Sequence, residues 1–119
     1  MSLNGVFTPK RLVQSEVIRK MPEITLKLYS TLREIAGEGK IIMNVPEGSS
    51  VRELIRSLFN QVNYKEKFIE RYGSILKKNN MEERFLVFVN NNSISSLNGF
   101  ETKLKDKDKV EILEPISGG

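Results

Sequence analysis

Few side chains in this sequence can do covalent chemistry. Its 119 residues include no cysteine and no histidine. That excludes thiolate nucleophiles, disulfides, Ser-His-Asp and Cys-His arrangements, zinc sites built on Cys or His, and the residue best suited to proton shuttling near neutral pH. Carboxylates fall close together at Glu82-Glu83 and at Asp106/Asp108. The first pair precedes an apolar run and the second alternates with lysines, so both are expected on the solvated surface, without the burial that separates the pKa values of a catalytic pair. Asp106 and Asp108 also lack the glycine and distal glutamate of a calcium loop. Gly37-Glu38-Gly39 has neither the third glycine of a dinucleotide fingerprint nor the lysine and serine of a P-loop. No metal site and no bound cofactor are expected.

The remaining chemistry is main-chain. Pro115-Ile116-Ser117-Gly118-Gly119 closes the sequence, and an extended segment of this length reaches roughly 17 Å past Glu114. Proline ends a strand and sets a direction, while glycines carry no side chain to obstruct a narrow channel. A carboxylate on Gly119 presented in this way can be activated by a partner and attacked without steric hindrance. Terminal Gly-Gly alone is a weak signal, because frayed chain ends often look the same.

Ordered elements must hold such a tail. Ile24, Leu26 and Leu28 alternate with polar residues as in a half-buried strand, and Ile41, Met43 and Val45 mark a second, the two forming an antiparallel hairpin. Between them, Thr31–Gly39 reads as a loop with one helical turn around Leu32–Ala36. Ser50-Val51-Arg52-Glu53 matches a capping box. Val51, Leu54, Ile55, Leu58, Phe59 and Val62 then follow on one helical stripe. A second helix is predicted from Tyr64, Phe68, Ile69, Tyr72, Ile75 and Leu76, weakened by Gly73. Phe85–Val89 is apolar on both faces and reads as a central strand, followed by turn chemistry at Asn90-Asn91-Asn92. Ile94, Leu97, Phe100 and Leu104 are scattered anchors, Lys105–Asp108 is a polar turn, and Val110–Leu113 is the last strand. The order predicts an α+β fold: a mixed sheet with one long capped helix and a second helix.

With 39% apolar and 29% charged residues, one domain is expected over residues 21–119, preceded by a flexible N-terminal extension at 1–20. Of the net charge of +4, +3 belongs to that extension, where Lys10, Arg11, Arg19 and Lys20 face Glu16 alone. The remainder is nearly neutral with interleaved signs, so no nucleic-acid partner is expected. Phe85 and Phe88 fall on opposite strand faces and cannot form one base-stacking platform. No apolar run approaches the ~20 residues of a membrane span, and no secretory h-region is present. The expected location is cytoplasmic, with no membrane partner.

Several segments in this order resemble the MoaD/ThiS family of ubiquitin-like sulfur carriers, more closely its MoaD branch. They are Tyr29-Ser30-Thr31-Leu32-Arg33-Glu34-Ile35-Ala36-Gly37, Val45-Pro46-Glu47-Gly48-Ser49-Ser50-Val51, Phe88-Val89-Asn90, Leu104 to Ile112, and Pro115-Ile116-Ser117-Gly118-Gly119. The likeness runs from about Ile24 to the end. Three departures stand out: Lys107 where the family's turn usually carries glycine, Glu114 where a first proline is common, and a longer segment from about Asn63 to Arg84. The resemblance implies a β-grasp fold and a protein that is no enzyme by itself. An E1-like adenylating enzyme would use ATP and magnesium to activate the Gly119 carboxylate, with Gly118 completing the slender tail. A sulfur donor would then leave a thiocarboxylate, and a MoaE-like large subunit would receive the sulfur for molybdopterin. Alternatives are a ubiquitin-like modifier, a carrier for tRNA thiolation or thiamine, and a non-covalent binding module.

A carrier needs a docking surface. If Val87, Val89, Val110 and Ile112 face the helix, alternation places Leu86, Phe88 and Leu113 on the opposite face. These three, with Pro115, Ile116 and Ser117, are the expected partner-binding residues. The competing expectation is that the second helix or residues 1–20 cover them.

Overall fold

The first strand organises the sheet. In a computed structural model that describes residues 21–115, β1 (Glu23–Leu28) turns Ile24, Leu26 and Leu28 into the core and leaves Glu23, Thr25 and Lys27 half-buried on the other face. β2 (Lys40–Asn44) returns antiparallel, with Ile24 opposite Met43 and Lys27 opposite Lys40. The connection is more ordered than a loop with one turn. It is a seven-residue helix, α1 (Ser30–Ala36), anchored by buried Leu32. Gly37 ends it at φ 82°, donating its N–H to the Arg33 carbonyl at 2.9 Å; glycine reaches that left-handed cap without a Cβ clash.

α2 (Val51–Phe59) starts at the expected capping box. Ser50 N–H donates to Glu53 Oε1 at 2.8 Å, and Glu53 N–H donates to Ser50 Oγ at 3.2 Å. Val51, Leu54, Ile55, Leu58 and Phe59 are all buried against the sheet. Val62 does not continue their stripe: the helix stops at Phe59, and Val62 is 91% exposed. α3 (Lys65–Lys78) passes through Gly73 unbroken. The reason is aromatic packing. Phe68 and Tyr72 stack on Phe59 at centroid distances of 4.5 and 5.4 Å, and Phe85 meets Tyr72 edge-on at 5.3 Å. Contacts of this kind contribute about 0.5–1.5 kcal/mol each beyond area burial, enough to offset the roughly 1 kcal/mol of helix propensity lost at glycine.

β3 (Leu86–Val89), β4 (Asn92–Ser93) and β5 (Lys109–Leu113) complete a mixed sheet in the order β2-β1-β5-β3-β4. β5 runs parallel to β1, and all other pairs are antiparallel. β5 is the middle strand, flanked by β1 and β3, so β3 is paired on both sides as its apolar run predicts. β3 has only the two-residue β4 on its outer side, and its second apolar face lies open rather than in the core. Asn90 and Asn91, at φ 50° and 73°, form the tight left-handed turn between β3 and β4.

Asp106 is exposed, as its alternation with lysine implies, but Asp108 is buried. Asp108 is 9% exposed and accepts hydrogen bonds from Asn90 Nδ2 and Lys105 N–H, both at 2.8 Å. Asp106 accepts from Glu23 N–H at 2.7 Å. The turn before β5 needs these acceptors to satisfy otherwise unpaired amides. Glu82 pairs with Arg52, whose hydrogen bond holds its pKa below the ordinary carboxylate value.

Candidate functional site at the end of the last strand

β5 carries the chain through the middle of the sheet and delivers Leu113, Glu114 and Pro115 to one end. Leu86 pairs with Leu113, and Phe88 with Glu111. Because Val87, Val89, Val110 and Ile112 are buried on the helix side, Leu86, Phe88 and Leu113 gather on the open face. Leu86 is 49% exposed, and Phe88 and Leu113 are half-buried. α3 does not cover them, since its Phe68 and Tyr72 are engaged with Phe59 in the core. Residues 1–20 lie outside the described residues.

Tyr29, Phe88, Asn91, Glu111 and Leu113 line a shallow hollow of about 210 Å³ on this face. Tyr29 Oη donates to Glu111 Oε2 at 2.7 Å. That bond, then burial and the charge of Glu111, raise the Tyr29 pKa above its ordinary value. The phenol therefore stays neutral and occupies Glu111, leaving the nearby rim mainly apolar.

Glu114 lies immediately before the tail proline. It accepts from Tyr72 Oη at 2.8 Å and from Arg84 Nε at 2.5 Å, and its side chain is 12% exposed. Burial pushes its pKa up. The Tyr72 hydrogen bond and the bond and charge of Arg84 outweigh that and hold it below the ordinary value. Tyr72 is pushed up to about 12, by burial first and then by its bond to Glu114. An ionised carboxylate and a neutral phenol thus hold the base of the tail. On this side a cleft of about 500 Å³ opens, lined by Ser30, Thr31, Arg71, Glu83, Arg84, Glu114 and Pro115.

The expected site is thus assembled in part. Leu86, Phe88 and Leu113 come together beside the strand that leads to Pro115. Ile116, Ser117, Gly118 and Gly119 lie outside the described residues. The clamp of Tyr72, Arg84 and Glu114 was missed from sequence, its partners standing 42 and 30 positions from Glu114. The one available signal was the unusual glutamate itself. Among the described residues, no cluster of three or more metal-ligating side chains occurs, and no helix is long and apolar enough to cross a membrane.

A family model described as the ThiS family matches residues 26–119. The chain belongs to the ThiS family. This ThiS-family chain is 26% identical over 97 residues to small archaeal modifier protein 3 of Haloferax volcanii, covering 82% of this chain and 99% of that protein. The solution structure of small archaeal modifier protein 1 from Methanosarcina acetivorans is similar at 27% identity and a TM-score of 0.54, over 83% of this chain and 98% of that one. A chain of the Amycolatopsis orientalis BexX/CysO complex is similar at 25% identity and a TM-score of 0.52, over 81% and 99%. The fold is the ubiquitin-like β-grasp, and the family is one of small ubiquitin-like sulfur carriers and modifiers.

Proposed function

We propose that the protein is a sulfur carrier whose reactive atom is the carboxylate carbon of Gly119, with no catalytic side chain of its own. A partner adenylating enzyme of the E1 type supplies ATP and magnesium. One carboxylate oxygen attacks the α-phosphorus, pyrophosphate leaves, and an acyl adenylate forms. Hydrosulfide from the sulfur source then adds to the acyl carbon, AMP departs and a proton is lost, leaving a thiocarboxylate. The observation that supports this reading is where the last strand ends in a ThiS-family chain: β5 leads to Pro115 beside the open apolar cluster of Leu86, Phe88 and Leu113. An adenylating partner seated on that cluster would receive the tail within the roughly 17 Å that it spans.

The proposed acceptor is a MoaE-like large subunit, to which the carrier donates sulfur for molybdopterin. A second reading, a modifier joined through Gly119 to lysines of other proteins, is favoured by the likeness to the two archaeal modifier proteins. Incubating the chain with an E1-like enzyme, ATP, magnesium and a sulfur source, then weighing it by intact mass spectrometry, tests the common step. The expected gain is that of one oxygen exchanged for sulfur on the C-terminal peptide. An unchanged mass alongside a positive control rejects the carrier reading. Adding a MoaE-like subunit and the pterin precursor separates the acceptors: the thiocarboxylate is consumed with dithiolene formation in the first reading, and lysine conjugates accumulate in the second.

A further inference from the structure

Gly73 has no steric reason inside the chain. Glycine is among the least favourable residues in a helix interior, yet a Cβ at this position would meet only the Ile69 Cγ2 methyl group, at 3.4 Å. The fold tolerates glycine here and does not require it. What surrounds Gly73 is open. Ile69, 45% exposed, Gly73 and half-buried Leu76 follow at i, i+4 and i+7 on one flank of α3, a single helical stripe. Ile69 and Leu76 also border a shallow hollow of about 240 Å³ whose other walls are Arg56, Phe59 and Asn60, so they lie on the side of Gly73 that faces α2. At ~100° per residue, Glu70 and Lys77 stand on its other side. Both are exposed and, among the described residues, neither takes part in an ion pair.

We infer that this flank is the contact for a second copy of the chain, with two α3 helices packed antiparallel and Gly73 on the two-fold axis. Such an axis sets positions before Gly73 in one copy against positions after it in the other. Ile69 then meets Leu76 of the second copy, and Glu70 meets Lys77 of the second copy. Symmetry repeats both matches, as an isologous contact requires. A parallel pair would instead set Glu70 against Glu70 and Lys77 against Lys77. With no side chain at the axis, the two backbones can approach closely. Arg71, which borders the cleft at Pro115, is ~200° around the helix from Gly73, so the contact leaves the base of the tail free. α3 has 14 residues and a length of ~21 Å. A contact of that length falls short of the ~800 Å² per partner of a stable complex, so the dimer is weak, with a Kd on the order of 100 µM. It does not rest on the carrier reading.

Sedimentation velocity of the full chain, from about 10 µM to about 1 mM at low salt, tests the contact and should show a monomer passing to a dimer across that range. Glu70→Lys and Lys77→Glu each turn two attractive pairs into two repulsive ones and should weaken dimerisation on the order of tenfold. The double variant Glu70→Lys, Lys77→Glu should recover the wild-type Kd. An equimolar mixture of the two single variants should form a heterodimer, because position 70 of each copy then faces the opposite charge at position 77 of the other. Gly73→Gln should stay monomeric throughout, its side chain standing on the axis. In dilute solution the same variant should raise Tm, since glutamine is the better helix former and nothing inside the chain obstructs it. A double variant that fails to recover, a Gly73→Gln chain that dimerises like wild type, or a lowered Tm in that variant overturns the inference. A wild type still monomeric at the highest concentration also overturns it and leaves the flank to a different partner.

Discussion

Substitutions at Glu114 separate the two interactions that hold the base of the tail. Glu114→Gln keeps the shape of the side chain and an oxygen for Tyr72 but removes the charge facing Arg84. The Arg84 side chain is 43% exposed, so solvent screening limits that loss to about 0.5–1 kcal/mol. Glu114→Ala also leaves the Tyr72 hydroxyl without its acceptor on a residue with no exposed surface, which adds about 1–3 kcal/mol. Tyr72→Phe removes the hydroxyl and keeps the aromatic stack, at a loss of about 1 kcal/mol. The double variant Glu114→Ala, Tyr72→Phe should lose less than the sum of the singles, because phenylalanine needs no acceptor. Urea unfolding followed by circular dichroism measures each value. The pH dependence has a definite sign. The folded pKa of Glu114 lies below the ordinary 4.5, so its stabilisation is present above that value and is lost as pH falls through the folded pKa. Wild type should therefore lose more stability on acidification than Glu114→Gln, and the two should converge in strong acid. An alanine variant no less stable than the glutamine variant, with additive behaviour in the double variant, would refute the clamp.

Of the three tyrosines, Tyr72 should ionise last in an ultraviolet titration, near 12, and Tyr72→Phe should remove that final step. Its raised pKa stabilises the fold fully below 10, and that contribution should fade as pH rises from 10 towards 12. Lys107 sits at φ 73° in the turn before β5, so Lys107→Gly should raise Tm in a calorimetric scan by relieving left-handed strain; a lowered Tm would show that its contact with Glu23 matters more. Leu86→Asp, at a half-exposed position, should shift Tm by no more than about 2–4 °C while lowering kcat/KM for adenylation on the order of tenfold. Full activity in that variant would rule out the open apolar cluster as the seat of the adenylating partner.

Local signals carried most of the fold. The capping box at Ser50 and Glu53, the stripe from Val51 to Phe59 and the alternation in β1 each depend on residues within a turn or two of one another, and each folds as its spacing dictates. Placement of Leu86, Phe88 and Leu113 on one face also followed from alternation alone. The errors came from effects that spacing does not encode. The apolar run Phe85–Val89 places β3 inside the sheet, as observed, but does not specify whether its second face meets a core or a partner, and that face lies open. Asp108 looked like surface because its partner Asn90 is 18 positions away. Val62 matched the helical period, but Asn60 had already ended the helix.

The segment from about Asn63 to Arg84 and the glutamate at 114 act as one physical unit. The segment contributes Phe68 and Tyr72 to the aromatic stack on Phe59. It also supplies both groups that grip Glu114, the Tyr72 hydroxyl and the Arg84 guanidinium. A proline at 114 would restrict the backbone by its ring and offer nothing for those groups to bind. With glutamate, direction is set instead by two hydrogen bonds to a partly buried carboxylate, and the Tyr72 hydroxyl gains the acceptor it needs. Each feature makes the other necessary: the segment without Glu114 leaves a buried hydroxyl unpaired, and Glu114 without the segment leaves a carboxylate with nothing to hold it. The base of the tail is therefore fixed by charge and hydrogen bonding rather than by ring geometry, and its rigidity should weaken in acid, where a proline-set tail would not respond.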